Sequence, residues 1–292
     1  MIDKADSSRA PSTAAQSATR TTAALPDPPQ PQGVAPQGVA PQGVASQGVL
    51  PAPNSRQKLL LRRRHALVVV LTFLTGAADA TGFLALGGAF SSVMTGNMVL
   101  LGLSVGHAEA TLAVNSGAAI ISYIIGVLVG AHIAGTAHPS DPVWPRQVTR
   151  ALAAELLVLS AFLVLWEITA EDRSAIAARA LLMLAAAALG IQGSAIQRFG
   201  VPGLSSTYLT GTLTSLISAV AARKPARTLL ASTQVLLALI VGAAVGAVLV
   251  DHLPRLSPVL LLVPMVCVLV ASRGLKSEQA SGEGAYIEGR VD

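Results

Sequence analysis

Apolar runs of about 20 residues recur between Ala66 and Ser272, and that recurrence confines the chain to one class of fold. As a helix, each run rises about 30 Å, the thickness of a hydrocarbon layer. Apolar and polar residues do not alternate within the runs, which excludes an outer-membrane β-barrel. Only 12% of the residues are charged and 52% are hydrophobic, whereas a soluble globular chain carries about 25% charged residues. That is too little polar surface to face water. The sequence therefore predicts an all-α, polytopic transmembrane bundle. It excludes a soluble enzyme, a disulfide scaffold and a nucleic-acid module. The net charge of +5 comes from basic residues beside helix ends, where anionic lipid is their natural partner.

Residues 1–58 form a separate block rich in Pro, Gln, Ser, Thr and Ala. It carries a tandem unit, Pro36-Gln-Gly-Val-Ala40 and Pro41-Gln-Gly-Val-Ala45, with a decayed copy at Ser46-Gln-Gly-Val-Leu50. Such a segment buries too little apolar surface to offset the entropy of ordering, so a disordered tail is expected. Arg62-Arg63-Arg64 followed by an apolar stretch and Ala78-Asp79-Ala80 imitates a secretory signal. About 60 residues precede it and the apolar stretch continues to Leu86, so it reads as a retained first span.

Spans are expected at about 66–86, 90–106, 112–136, 149–168, 175–197, 204–222, 228–250 and 256–272. The second and sixth are short and rich in Gly, Ser and Thr; as re-entrant helices they would lower the count from eight to six or seven. With eight spans and both termini cytoplasmic, twelve basic residues fall inside: Arg56, Lys58, Arg62, Arg63, Arg64, Arg173, Arg179, Arg223, Lys224, Arg227, Arg273 and Lys276. Four fall outside: Arg146, Arg150, Arg198 and Arg255.

Three landmarks recur in order. Gly76 matches Gly190, Thr95-Gly96-Asn97 matches Thr210-Gly211-Thr212, and the Gly126/Gly130 pair matches Gly242/Gly246, at offsets of 114, 115 and 116. Duplication is the expectation. Four helices between equivalent points give the two halves a shared orientation, as parallel-related repeats. The organisation is then a first membrane repeat over 59–136, a linking helix and loops over 137–174, a second repeat over 175–250, a last helix over 251–275 and a loose C-terminal tail over 276–292.

Asp79 lies inside the first apolar run, where an ionised carboxylate costs about 2.5–3.5 kcal/mol on insertion scales. Two readings stand side by side: a proton or cation site, or a structural carboxyl bonded to Thr and backbone donors. Thr95, Gly96 and Asn97, with Thr210, Gly211 and Thr212, place hydroxyl and amide groups around a glycine that permits unwinding. They read as substrate or ion ligands, or as interhelical glue. Gln192 and Gln197, in the fifth span, have the same two readings. Gly126, Gly130, Gly242 and Gly246 form GxxxG helix-packing faces. His132 and Glu155 read as groups near helix ends, snorkelling to the interface, and the lone Cys267 as a small buried apolar residue. No catalytic motif, spaced metal-ligand set or cofactor fingerprint is present in the sequence.

The strings Gly76-Ala-Ala-Asp79-Ala80, Phe83-Leu-Ala-Leu-Gly87-Gly88-Ala-Phe90 and Met94-Thr95-Gly96-Asn97 resemble the opening signature of the YoaK-like family, domain of unknown function 1275. Gly190-Ile-Gln192, Gln197-Arg198-Phe-Gly200 and Ser206-Thr207-Tyr208-Leu209-Thr210-Gly211-Thr212 resemble its second signature, and the likeness covers about residues 60–275. One departure stands out: Gly193 occupies the place of an Asn in the family pattern Gly-x-Gln-Asn-Ala. The resemblance implies a bacterial inner-membrane protein and supplies no substrate; the cytoplasmic N-terminus is the expectation from charge placement alone.

Two functions stay open. One is a transporter or channel-like protein for a small polar solute, proton or cation, its site lying between the halves. The other is a non-transporting scaffold, sensor or assembly partner. The lipid bilayer is the implied partner of both, and a homo-oligomer is compatible with the GxxxG faces.

Overall fold

The computed structural model describes residues 54–138, 140–199 and 209–288, and of 226–228 and 276–288 the backbone alone. The tail expected to be disordered lies outside these residues except for 54–58, and so does the start of the sixth expected span, 204–208. Eight helices are described: α1 (Ser55–Ala85), α2 (Met94–His107), α3 (Ala110–Ala134), α4 (Arg146–Ile168), α5 (Ala175–Gln197), α6 (Leu209–Ala221), α7 (Ala226–His252) and α8 (Ser257–Glu288). There is no strand among the described residues. Six helices are long and apolar enough to cross a membrane: α1, α3, α4, α5, α7 and, up to Leu275, α8. The expected last helix stops near 275, with a loose tail beyond; α8 instead runs on to Glu288.

Local chemistry sets the helix starts. Asn54 caps α1: the Gln57 N–H donates to Asn54 Oδ1 at 2.8 Å, and the Asn54 N–H donates back to Gln57 Oε1 at 3.2 Å. Ser174 caps α5 through the Ala177 N–H at 3.2 Å. Pro145 and Pro225, which lack an N–H to lose, precede α4 and α7.

Close contacts give the helix directions. Gly242 sits against Phe73 and Gly246 against Ala77, while His65 Nε2 meets Gln234 Oε1 at 2.9 Å. Residue numbers climb together in these pairs, so α1 and α7 run parallel. Arg179 Nε donates to Asn115 Oδ1 at 2.9 Å, and Arg198 Nη1 donates to the Ala134 carbonyl at 2.8 Å, which makes α3 and α5 parallel. Between α1 and α5 the order reverses: Gly82 lies against Leu182, and Thr75 against Gln192.

This corrects the expected shared orientation: α1 and α5 run in opposite directions. The physical reason lies in the two short helices. The end of α1 and the start of α3 are on one side, so α2 returns to the side it left. The end of α5 and the start of α7 are both on the other side, so α6 also returns. Only three full crossings (α1, α3 and α4) precede α5.

The glycine contacts repeat with the sequence offsets. A Cβ on Gly76 would strike the Leu239 carbonyl and Ala243 N; on Gly190 it would strike the Tyr123 carbonyl and Val127 N. Leu239 and Ala243 each lie 116 residues after Tyr123 and Val127. Likewise Gly126 abuts Ala187 and Gly242 abuts Phe73, partners 114 residues apart. Two of the non-glycine residues with positive φ, Ala108 after α2 (58°) and Arg223 after α6 (50°), are 115 apart. Each GxxxG pair thus clasps the glycine of the other half, where small residues let backbones touch.

The remaining helices, α4 and α8, run antiparallel to each other, with Trp166 Nε1 donating to the Pro254 carbonyl at 3.0 Å. The interior is built from Leu, Ala and three large aromatics, Trp144, Phe162 and Trp166.

Candidate functional site

After α1 the chain turns on Gly87 (φ 99°) and Gly88 (φ 79°), values that glycine adopts without steric cost. It then descends alongside α1 instead of leaving the membrane region. Residues 86–93 come back to the level of Asp79, and α2 climbs away from there. Unwound backbone at this depth must have its polar groups satisfied by protein. Asp79 and Asn97 do so. The Asp79 carboxylate is buried and accepts the Ser92 N–H and the Ser92 hydroxyl, both at 2.6 Å. The Asn97 amide grips one peptide unit from both sides: Oδ1 accepts the Phe90 N–H at 2.8 Å and Nδ2 donates to the Phe90 carbonyl at 2.7 Å. Ser91 adds a bond from its hydroxyl to the Ala78 carbonyl at 3.2 Å.

Gln192 lies one helical turn deeper along α1. Its Nε2 donates to Thr75 Oγ1 at 2.8 Å and to the Leu71 carbonyl at 3.4 Å, while Oε1 has no partner among the described residues. Asp79, Thr75 and Gln192 therefore follow one another down the α1–α5 contact. Thr95 is exposed, and Gly96 packs against Phe90 and Val93. In the second half Thr212 is buried, but Thr210 and Gly211 are exposed, and a Cβ on Gly211 would meet nothing within 4 Å. The structure brings together Asp79, Asn97 and, more deeply, Gln192; Thr95, Thr210 and Gly211 point away from that cluster. The residue 114 positions after Asp79 is Gly193, so α5 presents no carboxylate at the matching place.

Glu155 is the residue that sequence reasoning misplaced. It does not snorkel: its side chain is fully buried, and neither carboxylate oxygen has a partner among the described residues. It belongs to the buried stripe Leu152, Glu155, Leu159, Phe162 and Trp166 of α4. That i, i+3, i+4 spacing was the available signal. Starting the span at 149 hid it, because α4 begins at Arg146 and Glu155 lies deeper than it looked. Cys267, expected to be buried, is exposed on α8. No group of three or more His, Cys, Asp or Glu residues suited to a metal occurs among the described residues.

Basic side chains and aromatic rings close the two ends. On the side where α1 begins, Arg198 Nη2 meets Asp141 Oδ1 at 2.9 Å, Trp144 packs against Phe199 with ring centroids 5.2 Å apart and planes tilted by 51°, and Arg64 lies over Phe199 at 5.1 Å. The Asp141 carboxyl is held below its ordinary range, first by the His138 N–H and further by Arg198. On the opposite side Arg173 stacks over Trp166 at 3.7 Å, and burial there pulls its guanidinium below the usual value.

The profile of the family described as "Protein of unknown function (DUF1275)" matches residues 67–272. The chain is 36% identical over 191 residues to the UPF0700 transmembrane protein YoaK of Bacillus subtilis (strain 168), covering 64% of this chain and 82% of that protein. No solved structure matches the chain.

Proposed function

The chain belongs to the DUF1275 family, and on that footing we propose that it is a transporter or channel-like protein for a small polar solute, built as an inverted repeat. In this reading α1–α4 and α5–α8 are the two units. Each holds three crossings and one half-helix, with α4 and α8 as equivalent third spans in place of a linking helix and a last helix. Three crossings per unit force the second unit to sit upside down. The reciprocal clasp of Gly76 by Gly242/Gly246 and of Gly190 by Gly126/Gly130 is the observation that carries it. Inverted repeats with interrupted helices meeting near mid-membrane are the architecture of many secondary transporters, where alternate opening follows from exchanging the two conformations. This step from architecture to activity is an analogy, and the polar column Asp79, Thr75 and Gln192 is what gives it chemistry.

The charge balance supports a plasma-membrane protein with its N-terminus in the cytoplasm. With α2 and α6 returning, the side of the α1 start gathers Arg56, Lys58, Arg62, Arg63, Arg64, Arg146, Arg150, Arg198, Arg223, Lys224, Arg227, Arg273 and Lys276. The other side keeps Arg173, Arg179 and Arg255, beside Glu109, Glu167, Glu171, Asp172 and Asp251. Thirteen against three is a stronger positive-inside bias than the eight-span arrangement gave.

One observation favours the second reading, a scaffold or assembly partner: both Asp79 oxygens and the Asn97 amide are engaged in holding 86–93. Water access separates the two. Single cysteines at Ser92 and Thr212, in a Cys267→Ala background, are exposed to a membrane-impermeant maleimide in vesicles. A transporter or channel gives labelling at both positions, each favoured from a different face. A dry scaffold gives none at either.

A further inference from the structure

Glu155 is eleven residues from Trp144 and eleven from Trp166, the two indoles that close opposite ends of the bundle. At the helical rise this is about 16 Å from Trp166, and Arg146, where α4 begins, is about 14 Å away on the other side, so the carboxyl sits near mid-depth. Counting the same distance from Phe199 along α5 and from Pro254 along α8 brings it level with Ala188 and Met265, both fully buried. Among the described residues, the elements packed against α4 offer it no counter-charge. The cations of α5, Arg179 and Arg198, are near its ends and bonded to Asn115 and Asp141; α8 has Arg273 beyond its mid-section and an exposed Cys267; α3 has His132 in its last turn. On α4 itself Arg150 is exposed, and the acid of α1, Asp79, is engaged by Ser92.

A carboxyl so placed packs no better than an apolar side chain would. Burying it without a bond costs free energy that an apolar side chain of the same volume would not. What it can do is bind. A metal cation needs about six oxygen ligands, and here the carboxyl supplies two oxygens with no second acid, histidine or cysteine grouped around them among the described residues. A proton needs one. Gln192, with its own unpartnered Oε1, lies on α5 one turn beyond Ala188, in the same layer of the bundle.

We propose that Glu155 is the proton-binding group of this bundle, taking up a proton from water, carrying it in the apolar mid-layer and releasing it when the two units move. The assignment rests on the transporter reading and names its coupling ion. Infrared spectroscopy of the protein in lipid vesicles, in H2O and then D2O with no solute added, tests it. A protonated-carboxyl band is expected at neutral pH. Glu155→Gln should remove that band, Glu155→Asp should displace it, and Asp79→Asn should leave it, and it should shift within minutes of transfer to D2O. If the Gln variant does not fold, the displacement in the Asp variant assigns the band. Absence of any band that depends on residue 155 would overturn the proposal, since the group would then be ionised. A band that does not exchange would overturn it too, since the acid would then be sealed off. Exchange without any solute movement would instead leave the proton site standing and remove the transporter reading.

Discussion

Asp79 and Ser92 are joined by two hydrogen bonds of 2.6 Å, one from the Ser92 backbone and one from its hydroxyl. A side chain on α1 thereby holds the unwound start of α2 inside the bundle. Ser92→Ala deletes only the hydroxyl bond and should cost about 1–2 kcal/mol. Asp79→Ala also strands the Ser92 N–H and should cost about 3 kcal/mol or more. Thermal unfolding in detergent ranks the two. Equal losses would mean that the carboxylate does not anchor this segment.

The clasped glycines predict a matched pair. Gly76→Ala and Gly190→Ala each drive a methyl into a backbone carbonyl of the other half. Neither carbonyl can move without shifting a helix, so both should lose several kcal/mol, by similar amounts. Gly211→Ala meets open space and should be neutral, or stabilising by up to about 1 kcal/mol through helix propensity. Unfolding midpoints of the three variants check this.

A pH dependence follows from Asp141. Its carboxyl is depressed in the folded protein, so the stability it contributes is fully present above the ordinary carboxylate range and is lost as pH falls through the lowered value. Near neutral pH, Asp141→Asn should be less stable than the parent by no more than about 1 kcal/mol, because the pair is partly exposed to solvent. The gap should close on acidification. Unfolding midpoints of both proteins from neutral pH downward measure it.

Replacing Glu155 by Met, which fills similar space without a polar head, should raise the unfolding midpoint. A gain of about 1–3 kcal/mol is expected, because an unpartnered carboxyl is removed from the interior. A loss would mean that the acid has a structural partner.

How much of this was legible beforehand differs from residue to residue. The membrane class followed from the length and polarity of the apolar runs alone, since no other environment tolerates them. The re-entrant option for the second and sixth helices was visible in their Gly, Ser and Thr content. Helix direction was not: it depends on whether two short helices cross, and a twelve-to-four charge bias suited the wrong arrangement well enough. Asp79 announced itself by sitting in an apolar run, but its partner Ser92 is 13 residues away and reaches it only because Gly87 and Gly88 turn the chain back. Glu155 was hidden by a span boundary drawn three residues late.

The crossed glycine clasp has a consequence for biogenesis. As α1–α4 emerge from the ribosome, Gly76 has no helix to close over it and the Gly126/Gly130 face has nothing to grip; both wait for α5 and α7. The first half must stand in the bilayer unfinished until the second is inserted, held by its own internal bonds, such as Asp79 to Ser92, and by lipid. Cutting the chain in the α4–α5 loop and expressing the two pieces together should restore the complete protein. Either piece alone should be cleared by membrane proteases.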